Sequence, residues 1–399
     1  MSDMTETRLP AASPPRGSLL TDPRTRSILI QGTVLVLVCV ALWFFISNGR
    51  ANLAARNIQT GFGFLDQQAG FDISQTLIDY NDNASYGRVF LIGLLNTLLV
   101  SGLGVIFATI IGFGVGIARL SQNWLVSKLA EVYVEVIRNL PLLFQILFWY
   151  LGVLAAMPAA RQSLSFFGLA YFNNRGAVLA RPVFGEGSGI VALALLAGIV
   201  LAWIVGRWAH RRQMQTGQPF PTIKTALALI FGLPLAAFIA TGFPVSLEWP
   251  VLRGFNFAGG IRVIPEFVAL LIALSTYTGG FIAEIVRAGI QSVNRGQSEA
   301  AGSLGLRPGA TLRFVVVPQA LRVIIPPLTS QYLNLIKNSS LAVAIGYPDF
   351  FALFAGTTLN QTGQAIEIIA MTMAVYLVIS LITSGLMNLY NRRMALVER

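Results

Sequence analysis

Ionisable side chains are scarce in this sequence, and those that interrupt its apolar runs follow a pattern. Glu135-Val-Ile-Arg138 and Glu284-Ile-Val-Arg287 both read Glu-x-x-Arg. On a helix, residues three apart share a face, so each pair can close on itself. Charges inside a membrane span are costly and turn toward a bundle interior, a cavity or the interface. Two roles stay open for Glu135, Arg138, Glu284 and Arg287. They can fix helix packing near one end of a bundle. They can also form a translocation path, where Arg meets a carboxylate and Glu an ammonium. Lys337, with Asn334 and Asn338, is a third polar cluster. It either lines the path or lies near the end of a broken helix. Thr97, Thr276 and Thr278 are mid-span hydroxyls, which commonly bond a carbonyl one turn back.

Catalytic chemistry has no support. No lysine follows a glycine, so there is no phosphate-cradling Gly-Lys-Ser/Thr loop. There is no HExxH, and no serine has glycine two residues away on both sides. The single cysteine, Cys39, lies in an apolar run, and the single histidine, His210, lies beside Arg211 and Arg212. Two such residues far apart do not make a metal site. The chain is therefore expected to be no enzyme and to bind no cofactor.

The elements that must position these groups are membrane helices. Of 399 residues, 55% are hydrophobic and only 11% charged, with a mean hydropathy of +0.68. A soluble domain carries about 25% charge. Nearly charge-free runs of about 20 residues recur, as membrane helices require. They cover 28–46, 89–118, 129–154, 189–205, 223–241, 263–290, 320–345 and 366–389. The fold class is thus all-α integral membrane with about eight transmembrane helices. Residues 1–27 read as a disordered cytoplasmic tail, 28–47 as the first helix, 48–87 as a periplasmic loop and 392–399 as a cytoplasmic tail. Residues 156–187 and 243–262 read as outer, polar and aromatic loops. Gly279-Gly280 and Pro326-Pro327 are points of either flexibility or packing and kinking.

The net charge is +11. The basic residues are scattered between apolar runs and form no stripe, which argues against nucleic acid. Most fall in the segments on one side: the tail, 119–138, 207–224, 287–322 and the C-terminus. Cytoplasmic loops are enriched in Lys and Arg, so both termini are expected inside.

One polar stretch between spans is informative. It contains Glu299-Ala300-Ala301, then Gly305, then Val315-x-Val317-Pro318. Small residues permit close approach of a partner surface, and Arg307 and Arg313 place the stretch inside. This spacing resembles the signature of ABC importer permease subunits. Residues 133–143, Gly93-Leu-Leu-Asn96-Thr97, Glu284-Ile-Val-Arg287-Ala-Gly289 and Pro318-Gln319-Ala-Leu-Arg322 resemble the polar amino acid uptake family, and most of all its general L-amino acid permeases. The resemblance covers about 88–391. Residues 156–260 are an insertion relative to the five-helix core of smaller members.

The resemblance implies a type I ABC importer permease core over 88–391. It implies a coupling helix at Glu299, Ala300, Ala301, Gly305 and Pro318, seated in a cleft of an ATPase subunit. ATP and Mg would be held by those partners. The other implied partners are a second permease chain, similar or identical, and a periplasmic amino acid binding protein. The implied location is the inner membrane. The alternative is a secondary transporter driven by an ion gradient, which would want inverted repeats with matched broken helices. Only the Glu-x-x-Arg echo speaks for it.

Overall fold

The computed structural model describes residues 23–55, 60–254 and 256–394. The expected tails lie outside it for 1–22 and 395–399. Among the described residues, seven helices are long and apolar enough to cross a membrane, or eight when one bent pair counts as a single span.

The first helix, α1 (Pro23–Ala55), is apolar all round, and Arg26–Ile46 is exposed throughout. A helix of that composition has lipid as its surrounding. The bundle proper is built on α2 (Tyr86–Ala118) and α7 (Pro265–Gln291). Among the described residues these two share the most extensive helix–helix contact, and their glycines show why. A Cβ on Gly112 would lie 2.4 Å from Ile282, one on Gly116 2.7 Å from the Ala283 carbonyl, and one on Gly279 2.9 Å from Ile111. Gly279 and Gly280 are therefore packing glycines within a continuous α7.

The third expected span is not one straight helix. Helix α3 (Trp124–Asn139) starts where the Asn123 side chain accepts the Leu125 and Val126 amides. It stops at Leu140-Pro141, and the chain turns by 107° into α4 (Leu142–Leu147) and its π-helical extension to Leu154. Proline lacks an amide donor and drives the preceding residue to extended backbone, as at Leu140 (φ −97°, ψ 131°). The Gln145 amide repairs part of the break, donating to the Ile137 and Leu140 carbonyls at 2.9 and 3.0 Å.

The stretches read as outer loops fold into short antiparallel strands, an addition to the all-α expectation. Strands β1 (Leu164–Phe166), β2 (Ala170–Asn173), β3 (Gly176–Leu179) and β4 (Arg181–Phe184) precede α5 (Ser188–Thr216) and α6 (Thr222–Ala240). Strands β5 (Val245–Glu248), β6 (Val251–Arg253), β7 (Asn256–Ala258) and β8 (Ile261–Val263) follow. The order is β1-β2-β3-β8, with separate pairs β4-β5 and β6-β7. The two loops thus cap one end of the α5–α6 hairpin together. Inside that hairpin a Cβ on Gly198 would sit 2.5 Å from the Leu229 carbonyl oxygen.

After α7 come α8 (Arg295–Ser303) and α9 (Pro308–Thr311). A π turn (Leu312–Val316) then carries the helix into α10 (Val317–Asn338). Pro326 and Pro327, read as a point of flexibility or of packing and kinking, lie inside α10 and do not break it. The helical φ is the one proline already prefers, so only amide donors are lost. A tight turn at Gly346 (φ +77°) leads through a π segment (Phe351–Thr358) and α11 (Leu359–Thr362) into α12 (Ala365–Met394). One apolar core joins α2, α4, α7 and α10; a second joins Phe64, the start of α2, and Phe350 and Phe354.

Candidate functional site

The residues singled out in the sequence fall into three places. The first is α8. The Asn294 side chain caps its start by accepting the Gly296 amide at 2.8 Å. Its end is closed by a Schellman motif. Leu306 donates its amide to the Ala301 carbonyl and Gly305 to that of Gly302, with Gly305 at φ +77°. Ala301 is buried beneath the helix, whereas Glu299 and Ala300 are exposed. Pro318 is half-buried in the first turn of α10. A Cβ on Gly305 would meet nothing within this chain. The glycine thus serves the left-handed backbone of the turn, a reason the sequence reading had not given. Leu304, which precedes it, is 83% exposed, and Phe314, in the π turn that follows α9, is 66% exposed. Both were missed in the sequence; apolar residues at a helix end in a polar loop were the available signal.

The second place is the C-terminal end of α7. Glu284 accepts from Arg287 on its own helix and from Arg119 at the end of α2. Arg138 at the end of α3 approaches the same carboxylate at 4.0 Å, with its guanidinium 5.2 Å from the Phe281 ring centre. Arg287 also donates to Gln291 at 2.6 Å. Glu284-Arg287 therefore closes on itself as expected, but Glu135-Arg138 does not. Glu135 is exposed and has no ion pair within 4 Å among the described residues. The helix ends one residue after Arg138, which frees that side chain to reach across to α7. One carboxylate thus gathers three guanidiniums from three helices. Arg119 was missed because no local spacing links it to residue 284.

Lys337 lies apart from both, about 30 Å along α10 from Pro318 at 1.5 Å per residue. It is exposed, as is Asn334, and no hydrogen bond or ion pair holds its ammonium among the described residues.

A fourth cluster was legible only in part. The Thr97 hydroxyl accepts the Phe350 amide at 2.9 Å, instead of only bonding back along its helix. Thr276, by contrast, bonds the Ile272 carbonyl as expected. Asn96 donates to the carbonyls of Pro348 and Gln75 at 2.8 and 3.0 Å, and the Tyr347 hydroxyl donates to the Asn96 carbonyl at 3.1 Å. Asp349 is fully buried. It accepts the Ala352 amide at 2.8 Å and the Tyr376 hydroxyl at 3.1 Å. Burial pushes its carboxyl up to about 6, against the pull of those hydrogen bonds. These contacts pin the 347–352 segment to the N-terminal half of α2. Beside it opens a cleft of about 580 Å³ lined by Asp72, Ser74, Gly346, Asn360 and Gln361, among others.

No group of three or more His, Cys, Asp or Glu that could hold a metal exists among the described residues. The arrangement comprises a short capped helix with exposed apolar neighbours, a charge-clamped helix junction and a segment pinned to α2.

Residues 108–396 match the family described as binding-protein-dependent transport system inner membrane component. The chain is 54% identical over 382 residues to the general L-amino acid transport system permease protein AapQ of Rhizobium johnstonii, covering 96% of this chain and 95% of that one. It is 55% identical over 385 residues to the putative amino-acid ABC transporter permease protein YhdX of Escherichia coli, covering 96% and 98%. Identity is 44% over 430 residues to BztB of Rhodobacter capsulatus, a glutamate/glutamine/aspartate/asparagine transport system permease protein, covering 98% and 99%.

Proposed function

The chain belongs to the inner membrane components of binding-protein-dependent transport systems, as an ABC importer permease subunit, and on that premise we propose how it works and what it carries. The cargo is amino acids, the class named for the three relatives of nearly full-length match. The ion-gradient alternative has no observation in its favour.

The single observation that carries the mechanism is α8. It is a short helix closed at both ends and held to α7 by three intervening residues, with Glu299, Ala300 and Leu304 outward. An exposed apolar side chain beside small residues is what a docking surface needs. An ATPase subunit seats on this surface, and its movement is passed to α7. The permease is then a two-state element, biased by ATP on one side and by a loaded binding protein at the outer cleft on the other. ATP and Mg stay on the partner, and this chain does no chemistry. A second permease chain, similar to this one, completes the path. The termini lie in the cytoplasm, as the distribution of Lys and Arg implies.

Within this reading, Glu284, Arg287, Arg119 and Arg138 hold helices together, because the carboxylate is already saturated by guanidiniums. Lys337 is the charge left available to a cargo carboxylate.

The test is affinity purification of the full chain from its host in mild detergent, read by mass spectrometry. An ATPase subunit at comparable abundance is expected, retained by wild type and lost when α8 is altered at Leu304. Purification of the chain alone, even after crosslinking, would overturn the coupling role.

A further inference from the structure

The α5–α6 hairpin carries a basic cluster that the transport mechanism does not use. Helices α5 and α6 pack on each other, and neither makes more than slight contact with the core helices. No side chain of α6 is buried. The hairpin leaves the β cap and returns to it, so its tip lies at the opposite end. Helix α7 also starts at the β cap and ends at α8. The tip and α8 therefore share one face of the membrane.

At that tip stand Arg207, His210, Arg211, Arg212 and Lys224. From 188 to 241 there is no Asp or Glu, so the hairpin holds no counter-charge of its own. Two of the guanidiniums are pre-placed on aromatic faces. Arg207 lies 4.0 Å from the Trp203 ring centre and Arg212 5.4 Å from that of Trp208. Trp208 is in turn braced edge-on by Phe220, at 5.4 Å. Phe220 is flanked by Pro219 and Pro221 in the turn. Arg212 also donates to the Gln218 amide oxygen at 3.3 Å. Stacking holds a guanidinium by its face and leaves its N–H edge for an acceptor.

Indole rings at the end of a lipid-exposed helix sit at headgroup depth. Clustered Lys and Arg next to such a helix attract anionic lipid. A protein or nucleic acid partner would not require the rings to lie along the membrane helix itself. We propose that the α5–α6 tip is a binding site for the phosphate of anionic phospholipids, and that it anchors the inserted segment to the leaflet on the α8 side.

The test is native mass spectrometry of the full chain, purified in a non-ionic detergent and titrated with phosphatidylglycerol or phosphatidylcholine. Retention of phosphatidylglycerol at least about fivefold above phosphatidylcholine is expected, given the attraction of each cation to an anionic headgroup. The combined variant Arg207→Gln, Arg211→Gln, Arg212→Gln, Lys224→Gln should lose that preference. The variant Arg207→Lys, Arg211→Lys, Arg212→Lys, which keeps the charge and the fold, should retain part of it. Trp203→Leu with Trp208→Leu should weaken it with all charges present. Equal retention of the two lipids by wild type would overturn the proposal, as would an unchanged preference in the glutamine variant. Displacement of phosphatidylglycerol by millimolar inorganic phosphate would also overturn it, by assigning the site to a free anion. So would crosslinking of the tip to a protein subunit in place of lipid.

Discussion

Arg119, the residue that caps the C-terminus of α2, donates to Glu284 of α7 across 165 positions of sequence. The bond ties the C-terminal ends of α2 and α7, and Arg287 and Arg138 compete for the same carboxylate.

Removing that carboxylate leaves three guanidiniums without an anion. Glu284→Gln should lower stability by about 2 kcal/mol, below the roughly 3–5 kcal/mol of a fully buried pair, because these side chains keep some exposure. Arg138→Ala should cost less, since Arg138 stands farthest from the carboxylate. Thermal melts of the detergent-purified chain check both. An unchanged melting point with altered cargo preference would move the cluster into the translocation path.

The glycines of α2 give a paired test. Gly116→Ala should destabilise by about 1–3 kcal/mol, the range for overpacking. Its Cβ would lie 2.7 Å from the Ala283 carbonyl, which cannot yield without moving α7. Gly114→Ala, two residues away, meets nothing within 4 Å and should be neutral or slightly stabilising through helix propensity. Equal melting points for the two variants would refute the packing assigned to this face.

Gln145→Leu should cost about 1 kcal/mol, because the two carbonyls that lose their donor are only partly buried. The bend at Pro141 would lose the side chain that bonds Ile137 and Leu140. Gln145→Glu is expected to be worse, because a carboxylate cannot donate. The readout is the folded fraction after solubilisation.

Asp349 gives the pH dependence. Its carboxyl titrates near 6 in the folded chain, against about 3.9 when unfolded. Between those values the folded state binds more protons, so stability falls as pH rises from about 4 to 6 and then levels. The span corresponds to at most about 3 kcal/mol. Asp349→Asn, which mimics the protonated group, should flatten that slope and raise stability at pH 7. A slope that survives the substitution would assign the titration to another group.

At the end of α8 the backbone conformation, the side-chain volume and the charge can be separated. Gly305→Asn tolerates a left-handed backbone and should keep most uptake. Gly305→Val should lose at least about tenfold, because a β-branched residue resists positive φ. Gly305→Asp has the shape of asparagine with a charge added, so a loss in Asp but not Asn would locate the fault at a docked surface. Uptake assays paired with membrane-fraction blots distinguish failed coupling from failed insertion.

Much of this was readable in the chain. Long apolar runs gave α1, α2, α5, α6, α7 and α12, because a membrane leaves the backbone few choices. The bend at Pro141 was hidden because both arms are apolar and the run looks continuous. The strands β1 to β8 were hidden because none exceeds four residues and β1, for example, is exposed along its length. The Glu-x-x-Arg repeat drew notice to Glu284 and Arg138 but suggested two equal pairs. Only the fold shows that one takes in two foreign arginines while Glu135 is left out. Asp349 and Tyr376 sit 27 positions apart, too far for any periodic signal.

The glycine seam between α2 and α7 has a mechanical consequence. Two helices whose backbones touch have no compliance between them, so they turn as one shaft. At 33 residues and 1.5 Å each, α2 gives that shaft a length of about 50 Å. Arg119 caps its C-terminal end, and Asn96 and Thr97, about a third of the way in from its N-terminal end, grip the 347–350 segment. A displacement of α7 would therefore be shared by α2 and by the 347–350 segment it holds, without being absorbed by side chains repacking between the two helices.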